Sequence, residues 1–335
     1  MSIIPFPGSS PEPLPIPPNE NIRPLTTWIE GFENELRLRN KNEKTIDSYS
    51  RIFRQFMEWL LTMPGGEQGF HPQLLTRTAI NEYFNFLKKE GYSISHQIKV
   101  KSALKQVVEY LEEQNFSVPN PLKYIHIPVQ PIKSGRKLSD RQRYILKTLV
   151  EQEGSARGAA LFALGYHVGC RVSDVAHLRV QDVEISPQKA VLLVGYKNGK
   201  KRNIPINKEA RNALFHYLLR DEPGCRKQAR YAENSEYVFV SKRSDQLTEQ
   251  GVNNWFENLK KQARVDWHEE IKGISWHDLR HDFAHRKRED EGWTLEQLGY
   301  YLGHVTKSGN VAIQSTARYT MPTEQGLMDK LNEFD

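Results

Sequence analysis

Residues 190–206 read AVLLVGYKNGKKRNIPI. Two apolar, β-rich runs flank Asn198-Gly199, and Asn-Gly suits a two-residue hairpin turn because both central positions there need positive φ. The stretch predicts a tight hairpin, and EYVFVS at 236–241 predicts a third strand. Outward from it the chain is written in a helical period. Ile46, Tyr49, Phe53, Phe56 and Leu60 recur every three or four residues in EKTIDSYSRIFRQFMEWLL, residues 43–61. Ile98, Leu104, Val107, Val108 and Leu111 mark a second helix, and TRTAINEYFNFLKKEGYS at 76–93 makes another that Gly91 ends. The region from residue 25 to about 114 therefore reads as a compact four-helix unit whose apolar stripes are core. The later part opens with helices, passes through the strands and is helical again from Thr248. The fold expected is mainly α with a small antiparallel β-sheet, an α+β arrangement.

Composition sets the outer bounds. With 335 residues and 38% hydrophobic content, the chain is long enough for two domains, each with its own core. Residues 1–24, crowded with proline (PFPGSSPEPLPIPP), cannot form helix interior and read as a flexible tail. Residues 25–117 form the first expected domain. Prolines at 119, 121, 128 and 131 and a set of lysines and arginines make 118–137 an extended, basic linker, which leaves 138–335 as the second domain. No run of about 18 apolar residues occurs, and no charged segment followed by an apolar one opens the chain, so neither a membrane span nor a secretory signal is expected. The expected location is the cytoplasm. Cys170 and Cys225 lie far apart and match no metal-binding spacing, so they read as free structural thiols.

Lys and Arg number 47 against 41 Asp and Glu, a net charge of +6, and the isoelectric point is about 9.1. That balance favours polyanionic partners without proving them. Basic residues gather at Lys133, Arg136 and Lys137, at Lys197 to Arg202, and at Arg286 to Arg288. Singly these are ordinary solvated faces; together they suit a phosphate backbone.

The stretch SWHDLRHDFAHRKRED, residues 275–290, narrows the chemistry. On a helix His277, His281 and His285 project from one side and Trp276, Leu279 and Phe283 from another. Two histidines at i and i+4 are a zinc-binding spacing, but Arg280 sets a fixed positive charge among them, which disfavours a cation. The same face suits a multi-oxygen anion such as phosphate, because guanidinium offers a fork of donors and imidazole adds a donor or a base. Three other segments contribute matching groups. GYHVGCRVSDVAHLRVQDV (165–183) supplies Arg171, with Asp174 placed to brace its guanidinium; GYKNGKKRNIPI (195–206) sets Lys197 at the lip of the hairpin; YYLGHVTKSGNVAIQSTARYTMP (300–322) holds His304 and Tyr319. Taken alone, Arg171 and Asp174 make an ordinary surface ion pair and Lys197 a solvated turn lysine.

These boxes, Gly-Cys-Arg-Val-Ser-Asp, Tyr-Lys-Asn-Gly-Lys, His-Asp-Leu-Arg-His, and Leu-Gly-His followed by Ala-Arg-Tyr, together resemble the tyrosine recombinase (phage integrase) family. The likeness spans about residues 25–335, since NEKTIDSYSRIFRQFMEWL also resembles that family's helical core-binding domain. It implies a two-domain clamp on duplex DNA and site-specific recombination through a 3′-phosphotyrosine and a Holliday junction, without metal, cofactor or ATP. Tyr319 is then the nucleophile. Arg171, His277, Arg280 and His304 surround the scissile phosphate, Lys197 is the general acid and Asp174 supports the site. The implied partners are double-stranded DNA carrying specific recombination sites, three further copies of the chain in a synaptic tetramer, and accessory DNA-bending proteins; the implied location is at the nucleoid. Relaxation of DNA in the manner of a type IB topoisomerase, and a catalytically idle DNA-binding regulator, are the alternatives; a zinc hydrolase fits least. Cys170 stands where an aliphatic residue is commoner, and TKSGNVAIQ (306–314) lengthens the gap from His304 to Tyr319. Tyr300 and Tyr301 are rival tyrosines expected to pack their helix. Leu327, Met328, Leu331 and Phe334 mark a short terminal amphipathic helix that needs a docking surface, on its own domain or on the next protomer.

Overall fold

The computed structural model describes residues 23–64, 66–67, 69–116, 120–129, 135–196, 201–306, 308–321, 328 and 331. They fall into two compact units that divide between Pro131 and Ile132. Apart from Arg23 and Pro24, the proline-rich tail lies outside the described residues, and so do the hairpin turn at Asn198-Gly199, Lys133, Leu327 and Phe334. None of the described helices is long and apolar enough to cross a membrane.

The first unit holds the helices α1 (Leu25–Leu38), α2 (Glu43–Leu61), α3 (Arg77–Lys89) and α4 (Ile94–Glu113). Asn42, Thr76 and Ser93 start the last three by accepting from Thr45, Ala79 and His96 backbone N–H groups, which satisfies donors that a helix start leaves open. The apolar stripes meet in an aromatic core. Trp28 stands edge-on to Phe70 at 5.4 Å and Phe32 to Phe53 at 5.3 Å. Each such ring contributes about 1.5–3 kcal/mol by leaving water. Ile98 departs from its stripe and is 45% exposed, while Val100 is buried in its place.

The second unit is built around α6 (Ala156–Tyr166), whose ALFALGY segment is buried on every side. It lies between α5 (Asp140–Glu153), α8 (Lys208–Leu219) and α11 (Trp276–His285). The sheet runs β1 (Val183–Ile185), β2 (Ala190–Val194), β3 (Arg202–Pro205), antiparallel throughout, with Leu192 opposite both Val183 and Ile204. β2 buries Ala190, Leu192 and Val194 on alternate positions, the signature of a sheet with one face on the core. The predicted hairpin strands are thus present, but EYVFVS is not the third strand. It makes an isolated bridge, Arg179 to Tyr237, and buries Val238, Phe239 and Val240 as irregular chain. A short apolar run records burial, not pairing. The third strand is VEI at 183–185, too short to show an alternation.

Candidate active site

Helix α11 begins with a capping box. Ser275 Oγ accepts from the Asp278 N–H, while Asp278 accepts from the Ser275 N–H. Trp276, Leu279 and Phe283 then enter the core, and Trp276 Nε1 donates to the Cys170 carbonyl at 3.0 Å. Lower on the helix, buried Asp282 accepts from Arg143, from Arg286 and from the Leu138 backbone. The helix is thereby locked in rotation, which decides where its histidines and Arg280 point.

Those side chains meet Tyr319. Its hydroxyl lies 3.4 Å from His277 Nε2. Its ring centroid stands 4.2 Å from that of His281, 4.5 Å from His304 and 5.6 Å from His277, with the Arg280 guanidinium 5.7 Å away. His285 does not join them. Each four-residue step turns about 40° around the helix, so the third histidine rotates away; it is buried, with Nε2 donating to the Gly135 carbonyl at 3.1 Å and Nδ1 2.8 Å from Glu289 Oε1. The three-histidine stripe therefore divides, two rings facing the tyrosine and one facing the chain near residue 135. Among the described residues, the one trio of metal-ligating side chains within mutual reach is His216, Glu222 and Cys225, which includes none of these histidines.

Arg280 is wholly buried. Nη1 donates to the Gly169 carbonyl at 2.7 Å, and Nη2 to the Leu302 carbonyl at 2.6 Å and to His304 Nε2 at 3.2 Å. Gly169 presents that carbonyl from a backbone with φ of 69°, where a Cβ would also lie 2.6 Å from Phe283; glycine alone fits both demands. Among the described residues, Arg280 Nε has no hydrogen-bond partner and no carboxylate pairs with the guanidinium. Burial first, then the charge of Arg171, lower its pKa to about 10.

His304 sits beside it. Because guanidinium only donates, Nε2 of His304 accepts; Nδ1–H then donates to Thr316 Oγ1 at 3.2 Å, and Thr316 donates to the Ala312 carbonyl at 3.3 Å. This relay fits one tautomer of the neutral ring. Burial first, then Arg280 and Arg171, lower its pKa to about 3. The long connection to Tyr319 is a small returning loop: Thr306 bonds Asn310, Val305 bridges Val311, and the Ala312 N–H donates to the His304 carbonyl at 2.6 Å. From there α13 (Ile313–Ala317) brings Tyr319 into the site of its own chain.

Arg171 is half-buried at the start of α7 (Val172–Ala176), and its charge depresses His277, Arg280 and His304 together. The expected brace from Asp174 is absent. Asp174 is buried and accepts from the Arg171 backbone N–H at 3.4 Å, and among the described residues no ion pair joins the two side chains. A carboxylate three residues into a helix faces the open N–H groups of its first turn, which accounts for that choice. Lys197 lies outside the described residues. Sequence reasoning passed over two contributors: Arg202, which donates to the Tyr301 carbonyl at 2.9 Å and helps depress His304, and Thr316. Arg202 was legible only as one cation in a basic run, and Thr316 carried no signal. Of the rival tyrosines, Tyr301 packs as expected and donates to the Pro205 carbonyl at 3.0 Å, but Tyr300 is 61% exposed.

Several basic residues expected to face a phosphate backbone are tied to protein. Arg136 donates to the Gly273 carbonyl, Lys137 pairs with Glu289, Arg286 with Asp282, and Lys287 with Glu291.

A stability consequence follows from the depressed histidines. His167 and His281 fall to about 4, each mainly by burial, and His304 to about 3. Between an unfolded value near ~6.5 and these, the unfolded chain binds protons that the folded chain refuses, so stability falls as pH falls. Thermal unfolding at a series of pH values is expected to give a lower Tm at pH 5 than at pH 7.5, with net proton uptake on unfolding. A flat or opposite trend would contradict it.

Both units have counterparts among known proteins. The sequence matches the phage integrase family over residues 138–325 and the phage integrase N-terminal SAM-like domain over 28–117. The TnP I resolvase of Bacillus thuringiensis is 25% identical over 311 residues, covering 90% of this chain and 97% of the relative. The tyrosine recombinase XerA of Pyrococcus horikoshii is 29% identical over 311 residues, covering 91% and 92%. Among solved structures, the Tn1549 transposon integrase in complex with transposon right end DNA superposes with a TM-score of 0.66 at 16% identity, covering 92% of this chain and 99% of that one. The lambda integrase tetramer bound to a Holliday junction gives 0.62 at 17% identity, covering 89% and 78%. The chain belongs to the phage integrase family, the tyrosine recombinases, and is a DNA breakage-and-rejoining enzyme of site-specific recombination.

Proposed function

We propose that the enzyme cleaves one DNA strand by attack of Tyr319 and reseals it with a different strand. The observation that carries this reading is the Tyr319 hydroxyl beside His277, close to Arg280 and Arg171, which form no ion pair among the described residues. Two unneutralised cations near each other are costly, and a phosphodiester supplies the missing charge. Guanidinium donors on the non-bridging oxygens would also stabilise the charge that grows in the pentavalent transition state.

The steps balance without an outside co-reactant. Tyr319 Oη attacks phosphorus and its proton passes to His277. The bond from phosphorus to the 5′ oxygen breaks, and that oxygen takes a proton from Lys197, a role resting on the family resemblance. A 3′-phosphotyrosine keeps the energy of the phosphodiester, so a 5′ hydroxyl from another duplex can reverse the steps on a new partner. His304, held neutral beside Arg280, and Asp174, holding the start of α7, support the phosphate seat.

The helical unit preceding Pro131 is proposed as the second arm of a clamp on DNA, with residues 118–137 as the linker. Exchange proceeds through a Holliday junction in a tetramer at specific sites, assisted where needed by DNA-bending proteins, in the cytoplasm at the nucleoid. The DNA-bound Tn1549 integrase and the junction-bound lambda integrase tetramer support this reading.

A nicked suicide substrate that loses the short 5′ fragment tests it. With chelator present, wild type is expected to trap a covalent adduct whose modified peptide contains Tyr319. Its rate should fall as pH falls through the His277 pKa, because an imidazolium cannot accept the phenolic proton. Loss of surrounding water first, then Arg280, places that pKa below the ordinary 6.5. The acid limb should therefore begin below pH 6.5 and vanish in His277→Gln. An adduct on another residue, or none without added metal, would overturn the proposal.

A further inference from the structure

The tyrosine's segment is short and has little of its own to hold it. Among the described residues, the backbone N–H groups of Arg318, Tyr319 and Thr320 bond to residues 314, 316 and 317, and a helix of this length has no independent stability. A main-chain bond reaches it from far away in sequence: the Gly135 N–H donates to the Arg318 carbonyl at 3.2 Å. The carbonyl of the same glycine accepts from His285 Nε2 at 3.1 Å, so one residue bridges α11 and the position before Tyr319. Its main chain also lies against His281. A Cβ at Gly135 would stand 2.0 Å from His281 Nδ1 and 2.7 Å from Cγ. Among the described residues that buried nitrogen has no partner, and the same ring leans on Tyr319.

The segment that carries Gly135 is fastened along its length. Arg136 Nη1 donates to the Gly273 carbonyl at 2.9 Å, Lys137 pairs with Glu289, and the Leu138 N–H donates to Asp282 Oδ1 at 3.0 Å. It behaves as a strap across α11.

We infer that Gly135 and His281 are positioning residues for the nucleophile: the strap fixes the backbone that precedes Tyr319 and, through the close approach only glycine permits, the imidazole that seats the phenol ring. This rests on Tyr319 being the nucleophile. The backbone of Gly135 lies outside the left-handed region, so the obstacle to alanine there is steric, and the three atoms nearest the added Cβ all belong to His281.

The test uses the full chain, single-turnover cleavage of the nicked substrate, DNA binding and thermal unfolding. Displacing a reacting group by about 1 Å can cost about 10²-fold. Gly135→Ala is expected to slow adduct formation by about 10- to 100-fold, with DNA affinity and Tm close to wild type. His281→Ala should slow cleavage too, and Gly135→Ala/His281→Ala should be no slower than His281→Ala, because removing the ring makes room for the methyl. Wild-type cleavage by Gly135→Ala, or losses that multiply in the double variant, would overturn the inference. If Gly135→Ala does not fold, His281→Ala decides: a wild-type rate overturns it, and slowed cleavage with unchanged DNA affinity upholds it. A Tyr319→Phe protein that still forms adduct would instead remove the underlying nucleophile assignment.

Discussion

Tyr319→Phe is expected to abolish the covalent protein–DNA adduct, a loss of at least about 10³-fold in single-turnover cleavage, since no other group in the proposed scheme attacks phosphorus. Binding to DNA should stay near wild type, because the ring contacts with His281 and His304 survive the change. The hydroxyl's contact with His277 is long, at 3.4 Å, and lies at an exposed position, so stability should change by less than about 1 kcal/mol. Activity and folding thus separate cleanly in this variant. Gel analysis of the suicide reaction beside a melting curve makes the comparison. Persistent adduct would move the nucleophile elsewhere, with exposed Tyr300 the next tyrosine to examine.

Arg280→Ala should fail in both respects. The guanidinium ties the Gly169 and Leu302 carbonyls across the core of the unit, and each buried acceptor left unpaired costs about 1–3 kcal/mol. At about 2–4 °C per kcal/mol for a unit of this size, the melting temperature should drop by several degrees or more. Loss of its charge from the transition state is expected to slow cleavage by about 10²- to 10³-fold beyond that. Arg280→Lys separates the two effects. An ammonium keeps the charge but cannot span both carbonyls and His304 in one plane, so it should recover part of the stability and little of the rate. Full activity in the lysine variant would show that charge alone suffices and that the fork is dispensable.

Much of the site was legible in the chain because its donors come in short boxes. His277 and Arg280 share a helix whose apolar face is evident from Trp276, Leu279 and Phe283, and that face buries as read. Tyr319 and His304 were singled out by the family resemblance, and the structure sets them against Arg280. The misreadings have physical causes. Asp174 was assigned to the guanidinium three residues earlier, but the helix start supplied a nearer donor in the Arg171 N–H. Clusters of lysine and arginine were read as suited to a phosphate backbone, yet Arg286 and Lys137 found carboxylates at home. EYVFVS showed its burial without showing its partner.

By itself the sequence determined the periodic elements, the apolar faces, the hairpin strands and the order of the chemical boxes, because each depends on residues a few positions apart. Tertiary structure alone decided that His285 turns from the site, that Arg202 and Thr316 join His304, and that Gly135 reaches the residue before Tyr319. These contacts link segments separated by many residues. Which distant groups touch is set by how whole elements pack and rotate, and no local pattern of side chains encodes that.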